Sequence, residues 1–205
     1  MKIMLDLYSG LGGASEAFLR DGWTVIRIEN NPLLSGVENT RMLDMLEWQS
    51  WLDDLLIEIH EKYGQAVTLI WASPPCREFS TAYAAPGPTS RREGREFEPD
   101  LSLMWAAFDI ISRVRPKYWV IENVAGAIPK FNDELGPYKQ KIKSFVLWGR
   151  FPYIAVPVGW THSKTDGDTW SSDPIRANRR AYVPMEISDG LLQAVCMQSS
   201  LSDWA

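Results

Sequence analysis

Short apolar runs alternate with longer amphipathic stretches through the first part of the chain. The apolar runs are rich in β-branched and aromatic residues and predict buried strands at residues 2–8, 23–28, 66–72 and 117–121. The amphipathic stretches repeat apolar residues at helical spacing and predict helices at residues 14–20, 47–62 and 100–115. Strands that alternate with helices in this way indicate an α/β fold with a doubly wound, mostly parallel sheet.

The last third of the chain is less regular. Residues 144–158 contain β-prone pieces that glycine and proline interrupt, and residues 185–197 predict a closing helix. Two stretches lack periodicity and predict loops. One is a long, mobile loop at residues 84–95, which is rich in Gly, Pro, Ser and Arg, and the other is a polar loop at residues 159–178. No second-domain linker separates these parts, so we expect one domain over residues 1–205.

Composition limits the class of protein. A content of 45% hydrophobic and 23% charged residues in a chain of 205 is ordinary for a soluble globular domain. The sequence shows neither an apolar run of about 18 residues nor a signal peptide, and its two cysteines, Cys76 and Cys196, make no disulfide framework. We therefore expect a cytoplasmic protein with no membrane partner. A formal net charge of −5 argues mildly against nucleic acid as a partner, although a local basic patch is sufficient for binding.

A glycine-rich turn follows the first predicted strand. Residues Ser9 to Gly13 contain three glycines and lead into the first predicted helix, and Glu29 follows the second strand. This strand–turn–helix–strand order with a terminal acid is typical of a Rossmann-like nucleotide-binding unit. Amides of the turn can bind an anionic or polar ligand group, and the acid can accept hydrogen bonds from ribose hydroxyls. The glycines alone do not distinguish between nucleotide cofactors, and a purely structural turn is the alternative.

Two further polar segments follow predicted strands. Residues 73–76, Ser-Pro-Pro-Cys, end the strand at residues 66–72, because a proline pair cannot continue a sheet ladder. The strand at residues 117–121 leads into Glu-Asn-Val at residues 122–124. Open α/β sheets bind ligands at the carboxyl ends of their strands, so Cys76 is a candidate covalent nucleophile. A packed and inert cysteine is the alternative.

Together these three segments resemble the motifs of the DNA cytosine-5 methyltransferases. Residues 6–13, Asp-Leu-Tyr-Ser-Gly-Leu-Gly-Gly, are similar to the cofactor motif of that family, Asp-Leu-Phe-x-Gly-x-Gly-Gly. Residues 73–80 are similar to its catalytic Pro-Cys motif, and residues 122–124 match its Glu-Asn-Val motif. The order and rough spacing agree, and the resemblance covers about residues 1–125. It implies a Rossmann-like methyltransferase fold and methylation of C5 of cytosine in DNA.

The resemblance implies S-adenosylmethionine as the cofactor, and we expect no metal ion. Tyr8 would pack against the adenine, Glu29 would bind the ribose, and Asp44 would bind the adenine amino group. Pro74 and Leu103 would line the pocket. The full set of implied cofactor-binding residues is Asp6, Tyr8, Ser9, Gly10, Gly12, Gly13, Glu29, Asn30, Asp44, Pro74 and Leu103.

The resemblance also implies a covalent mechanism. C5 of cytosine is a poor nucleophile, and addition of the Cys76 thiolate at C6 makes the ring an enamine that can take a methyl group. Glu122 would hold the proton that neutralises charge at N3, since desolvation in an apolar site raises the pKa of a carboxylic acid. Asn123 would shape the turn that fixes both groups. A target inside duplex DNA must be flipped out, and the arginine-bearing loop at residues 77–97 would close over it.

The chain departs from the family pattern in its last third. The family carries a substantial target-recognition region, whereas here only residues 159–178 could serve. The family's Gln-x-Arg-x-Arg motif, whose arginines help to hold the cytosine, is absent, and we expect Arg150 to substitute for it. Residues Val183 and Pro184 resemble the closing motif without its usual Gly-Asn. Recognition could therefore be relaxed or depend on a homo-oligomer or partner chain, or the substrate could be a free cytidine nucleotide.

Three other interpretations remain open on the sequence. Methyltransferases that act on exocyclic amino groups also use Ser-Pro-Pro motifs, but an aromatic residue follows the prolines where this chain has Cys76. An NAD-dependent oxidoreductase accounts for residues 1–30 but leaves Cys76 and Glu122 without a role. A non-catalytic cofactor-binding or regulatory protein needs neither side chain. A DNA cytosine-5 methyltransferase accounts for all three segments.

Overall fold

A computed structural model of the chain describes residues 2–162 and 172–202. Its strands are β1 (Ile3–Leu7), β2 (Thr24–Glu29), β3 (Thr40–Met42), β4 (Leu69–Ala72), β5 (Tyr118–Asn123), β6 (Gln140–Ile142) and β7 (Phe145–Arg150). Its α-helices are α1 (Glu16–Arg20), α2 (Trp48–Tyr63), α3 (Pro86–Arg92), α4 (Ser102–Val114), α5 (Ile128–Leu135), α6 (Arg176–Arg180) and α7 (Met185–Ser202). Within the described ranges, no helix combines the length and the apolar character that a membrane span requires.

The strands form one sheet in the order β3-β2-β1-β4-β5-β7-β6. Strands β1 to β5 are parallel to one another, and β7 runs antiparallel to both of its neighbours. The predicted Rossmann-like α/β fold with a doubly wound, mostly parallel sheet is confirmed by this order. The chain proceeds from β1 to β2 and β3 on one side and returns to β4 and β5 on the other. The carboxyl ends of β1 and β4 therefore flank the topological switch point, where open α/β sheets bind ligands.

Helices cover both faces of the sheet. Along β1, Ile3, Leu5 and Leu7 belong to the apolar cluster that packs against α2, α4 and α5, whereas Met4 belongs to the cluster that packs against α1 and α7. Side chains alternate between the two faces of a strand, so a strand that is buried on both faces has a continuous apolar sequence. This double burial explains why short apolar runs were sufficient to locate the central strands.

The predicted mobile loop at residues 84–95 contains the helix α3, so this part of the prediction is wrong. Pro86 occupies the first helical position, and Pro88 falls in the same turn. Backbone N–H groups of a first turn have no intrahelical partner, so proline loses no hydrogen bond there. The helix is established where Thr89 N donates to Ala85 O at 3.0 Å.

Other boundaries shift by a few residues. Strand β5 continues through Glu122 and Asn123, two residues beyond the predicted strand. The closing helix is confirmed as α7, which is longer than predicted. Of the predicted loop at residues 159–178, residues 163–171 lie outside the described part of the chain, and the last three residues belong to α6.

One acid interrupts the apolar run of β1. Asp6 is 1% exposed and shares with Met4 the face of the sheet that α1 and α7 cover. Ser15 Oγ donates a hydrogen bond to Asp6 Oδ2 at 2.5 Å. Burial raises the pKa of Asp6 to about 7, although the hydrogen bond from Ser15 and the charge of Arg27 act in the opposite direction.

This burial makes stability depend on pH in a definite direction. The pKa of Asp6 lies at 3.8 for the free side chain and at about 7 in the folded protein, so folding loses stability as the pH rises from about 4 to about 7. The loss that Asp6 causes is roughly 4 kcal/mol by pH 7. We predict that Asp6→Asn, which cannot ionise, escapes this loss. The unfolding free energy of the wild type minus that of the variant should then fall steadily from pH 4 to pH 7.

Urea unfolding followed by tryptophan fluorescence measures these free energies. Asp54→Asn, at an exposed position on α2, is the matched control, and its difference from the wild type should not change with pH over this range. A constant difference between the wild type and Asp6→Asn from pH 4 to pH 7 would show that the Asp6 carboxyl is not strongly desolvated.

Candidate active site

Glu29 is the last residue of β2 and contacts the glycine turn. Its Oε2 accepts a hydrogen bond from Gly10 N at 2.9 Å. Its Oε1 accepts hydrogen bonds from Asn30 N and Asn31 N, both at 3.0 Å. A carboxylate offers about four acceptor positions, so capacity for a further donor remains after these three bonds. The backbone thus holds Glu29 at the carboxyl edge of β2 with room to bind a hydroxyl group.

Tyr8, Leu103 and Asp44 come together from three parts of the chain. The Tyr8 hydroxyl donates a hydrogen bond to Leu103 O at 2.6 Å. Burial raises the pKa of Tyr8 above its usual range, and the nearby Asp44 carboxylate raises it further. Asp44 follows β3 by two residues, and its Oδ1 accepts a hydrogen bond from Leu46 N at 2.8 Å. The strand before Asp44, which the sequence pattern did not reveal, places this acid at the same edge of the sheet.

A cavity of about 210 Å³ is lined by the loop after β4 and the start of α4. Two predicted cofactor residues, Pro74 and Leu103, line it. The other lining residues are Pro75, Arg77, Glu78, Phe79, Asp100 and Met104. A concave site with apolar walls and a few polar groups is the usual form of a small-ligand site.

Ser9 and Asp6, two of the predicted cofactor residues, differ in whether they can contact a ligand. Ser9 is 8% exposed, and its Oγ has no hydrogen-bond partner among residues 2–162 and 172–202. A buried hydroxyl without a partner is costly, so a polar ligand group would relieve that cost. Asp6 lies beneath the turn against Ser15, so we assign it to support of the turn rather than to ligand contact. The Ser9 hydroxyl, the Glu29 carboxylate and the cavity fit a nucleoside that carries a polar amino-acid arm, as S-adenosylmethionine does.

Cys76 follows β4, and Glu122 lies near the end of β5, the neighbouring parallel strand. Strand β4 pairs with β5 so that Ala72 is opposite Ile121, and Glu122 is the next residue of β5. Glu122 is 8% exposed. Cys76 follows Ala72 by four residues, caps the short 3₁₀ helix Arg77–Phe79 and is half-buried. Both groups therefore lie at the carboxyl edge of the sheet, with Glu122 buried and Cys76 partly exposed.

Asn123 joins the loops that follow these two strands. Its Nδ2 donates a hydrogen bond to Pro74 O at 2.9 Å, and its Oδ1 accepts one from Val124 N at 2.9 Å. The residue is 1% exposed, so the two bonds satisfy an amide that would be costly to bury alone. They tie the loop that carries Cys76 to the end of β5.

A close backbone approach holds the same two loops together. A Cβ atom added at Gly126 would lie 1.9 Å from Phe79 O, where no side chain can fit. The Phe79 ring also packs edge-on against Phe131 of α5, with 5.1 Å between the ring centroids. The segment after β5 therefore lies directly against the backbone of the Cys76 loop.

The structure does not bring Arg150 to this edge. Because β7 runs antiparallel to β5, Arg150 at its end pairs with Trp119 near the start of β5, at the amino edge of the parallel strands. Its guanidinium donates a hydrogen bond to the Pro116 carbonyl. The expected substitute for the family's arginines thus lies on the opposite edge from Cys76 and Glu122, and we leave it out of the active site.

Sequence analysis missed two buried polar residues that support the glycine turn. They are Ser15, which is bonded to Asp6, and Arg27, which is 2% exposed and donates from Nε to Ser15 Oγ at 2.9 Å. A signal for Arg27 exists, because it interrupts an otherwise apolar strand and a buried charge requires specific partners. Gly126 gives no such signal, since its role depends on the approach of a distant backbone segment.

Known proteins are similar to this chain over its first two thirds. Residues 2–146 match the sequence profile of the C-5 cytosine-specific DNA methylase family. A probable DNA (cytosine-5)-methyltransferase of Frog virus 3 is 27% identical over an alignment of 153 positions that covers 71% of this chain and 65% of that protein. The type II methyltransferase M.AplI of Arthrospira platensis is 27% identical over 128 residues, which are 62% of this chain and 33% of that protein.

Among solved structures, a mutant of DNMT2 from Spodoptera frugiperda aligns with a TM-score of 0.40 and 16% identity, over 75% of this chain and 52% of its own. The chain spans less than two thirds of the length of the curated relatives that it matches. The profile match covers more than half of the chain and includes all three segments that carry the resemblance, residues 6–13, 73–80 and 122–124. The chain therefore belongs to the C-5 cytosine-specific DNA methylase family.

Proposed function

We propose that the chain transfers a methyl group from S-adenosylmethionine to C5 of cytosine in DNA, through a covalent bond between Cys76 and C6. The observation that carries the proposal is the position of Cys76 after β4 and of Glu122 at the end of the neighbouring β5, with Asn123 tying the Cys76 loop to that end. A half-buried thiol and a buried acid on rigid strand ends are the groups that this reaction needs. We further propose that residues 1–205 work as one catalytic domain in which residues 159–178 replace a full recognition region.

Several residues of the chain are suited to hold the cofactor. S-Adenosylmethionine, when bound, supplies an electrophilic methyl group on a sulfonium sulfur. Glu29 would accept hydrogen bonds from the ribose hydroxyls, because its carboxylate is already fixed at the end of β2. Tyr8 and Leu103 would enclose the adenine. The Ser9 hydroxyl, together with amides of the turn other than those of Gly10 and Gly12, would bind the polar amino-acid end.

Cys76 and Glu122 divide the chemistry between them. The Cys76 thiolate adds to C6, and the electron pair of the C5–C6 double bond shifts toward C4 and N3. Glu122 donates a proton to N3, so negative charge does not build up on the ring. C5 of the resulting enamine bonds to the methyl carbon, whose bond to sulfur breaks. A base then removes the C5 proton, the C5–C6 double bond re-forms, the S–C6 bond breaks and N3 returns its proton to Glu122.

DNA must present an unpaired cytosine to this site. Cys76 and Glu122 lie at the edge of a buried sheet, which a base within a duplex cannot reach, so the target base would be flipped out. Residues 77–97 follow the nucleophile along the chain and would close over the DNA. Arg92 in this segment lies 3.7 Å from the centroid of the Tyr83 ring, and Tyr83 is 78% exposed. We therefore propose that this segment contacts the nucleic acid.

We also propose a biological setting for the reaction. The similarity to a type II methyltransferase favours a restriction–modification setting. A cytoplasmic location and a homo-oligomer or partner chain that supplies recognition stay predictions from the sequence.

Incubation of the protein with methyl-labelled S-adenosylmethionine and mixed-sequence duplex DNA should place label on C5 of cytosine. C5 is expected because addition at C6 activates that carbon and not the exocyclic nitrogen. Nucleoside digestion and mass spectrometry distinguish 5-methylcytosine from N4-methylcytosine. Label in free dCMP but not in DNA would assign a nucleotide substrate. Cofactor binding without label in either would instead identify a binding protein.

Cys76→Ala should reduce methyl transfer to background, because it removes the thiolate whose addition to C6 activates C5. Its affinity for S-adenosylhomocysteine, measured by calorimetry, should equal that of the wild type. Cys196→Ala, at the second half-buried cysteine, is the matched control and should keep full activity. Substantial transfer by Cys76→Ala would exclude the proposed nucleophile.

Glu122→Gln keeps the shape of the side chain but cannot act as an acid at N3. We expect kcat to fall by about 10²–10⁴-fold, the range typical of a lost general acid, with unchanged affinity for S-adenosylhomocysteine. Glu134→Gln, at an exposed position on α5, serves as the control and should retain wild-type kcat. Wild-type kcat in Glu122→Gln would rule out proton donation by Glu122.

A further inference from the structure

Arg27 lies in the middle of a buried strand and is almost fully enclosed. Its neighbours on β2 include Val25, Ile26 and Ile28, and Arg27 itself is 2% exposed. An isolated charge in such a place is expensive, so its retention requires acceptors that are fixed around it. The Arg27 side chain takes no part in the proposed methyl transfer, so its burial requires another reason.

The guanidinium donates to segments that surround the glycine turn. Nε donates to Ser15 Oγ at 2.9 Å, and Nη2 donates to Gly12 O at 3.2 Å. Nη2 also forms an ion pair with Glu16 Oε2 at 3.1 Å. Nη1 donates to Glu38 O at 3.0 Å, on the connection between β2 and β3. One side chain therefore binds the turn, the start of α1 and the neighbouring connection.

The turn lies directly on the guanidinium. A Cβ atom added at Gly12 would lie 2.5 Å from Arg27 Cζ, and Gly12 has a φ of +80°, which side-chain-bearing residues rarely adopt. The conformation of the turn and the position of the guanidinium therefore determine each other.

Glu29 holds the same turn from a second point. It lies two residues after Arg27 on the same face of β2, and its Oε2 accepts the hydrogen bond from Gly10 N at 2.9 Å. Thus Glu29 binds the N–H of Gly10, and Arg27 binds the carbonyl of Gly12. Together they hold the turn through its own backbone groups.

We propose that Arg27 is a positioning residue for the cofactor turn. It does not touch the cofactor, but it orders residues 9–13 in advance, so that binding does not have to supply the free energy for ordering them. This inference rests on the proposed function, in which the turn binds the amino-acid end of S-adenosylmethionine. The same residue links the turn to the connection between β2 and β3 at Glu38, so both segments depend on one buried cation.

Arg27→Met, which keeps a long apolar stem and removes the guanidinium, tests the proposal. We expect the Kd for S-adenosylhomocysteine, measured by calorimetry, to rise at least tenfold. Hydrogen–deuterium exchange of a peptide covering residues 9–14 should be faster than in the wild type without ligand. Ser15→Ala removes one acceptor of the guanidinium and should show the same changes to a smaller degree.

Ile142→Ala is the control for general destabilisation, because Ile142 is buried in the distant edge strand β6. It should lower the unfolding temperature and leave the Kd and the exchange of residues 9–14 unchanged. Wild-type Kd and exchange in Arg27→Met would overturn the proposal. If Arg27→Met does not fold, a wild-type Kd and wild-type exchange of residues 9–14 in Ser15→Ala would overturn the proposal. A wild type that binds no S-adenosylhomocysteine would contradict the proposed function instead, and the exchange of residues 9–14 would still test the role of Arg27.

Discussion

A hydrogen bond from the Asn123 side chain to the Pro74 carbonyl fixes the loop that carries Cys76 against the end of β5. Two prolines end β4, and their backbone cannot continue the ladder of the sheet, so the loop needs another anchor. A hydrogen bond contributes only about 1 kcal/mol net to stability, whereas a buried amide without a partner costs roughly 1–3 kcal/mol. The bond therefore has a small effect on stability and a large effect on the position of the Cys76 loop. In any other loop position the buried Asn123 amide would lose its hydrogen-bond partner.

The sheet separates the two tasks that the proposed reaction requires. The glycine turn follows β1 and Glu29 ends β2, whereas Cys76 follows β4 and Glu122 lies near the end of β5, on the other side of the switch point. Each group lies at or just beyond the end of a strand that is buried on both faces, so the hydrophobic core fixes its position. Beneath the turn, Asp6 accepts a hydrogen bond from the Ser15 side chain, and Arg27 donates one to the Gly12 carbonyl. Buried polar side chains therefore support the turn in addition to apolar packing.

The parts of the structure that local pattern determines could be predicted from sequence, and the parts that depend on distant pairing could not. Apolar runs predicted the strands because both faces of the sheet are buried. The motifs at the carboxyl ends of these strands lie at one edge of the sheet, because the strands are parallel. Arg150 was misplaced because its location depends on the antiparallel direction of β7, which no local pattern reports. The helix within residues 84–95 was missed because proline in a first helical turn has the same sequence signature as a loop. Arg27 was overlooked because its partners come from three separate segments.

Mass spectrometry of the protein trapped on DNA that contains 5-fluorocytosine tests the central claim most directly. Fluorine at C5 cannot leave as a proton, so the covalent complex persists after methyl transfer. We predict that proteolysis releases a peptide in which Cys76 carries the methylated 5-fluorocytosine nucleotide, and that Cys76→Ala forms no complex. An adduct on a different residue, or methylated DNA with no protein attached, would contradict a mechanism that proceeds through Cys76.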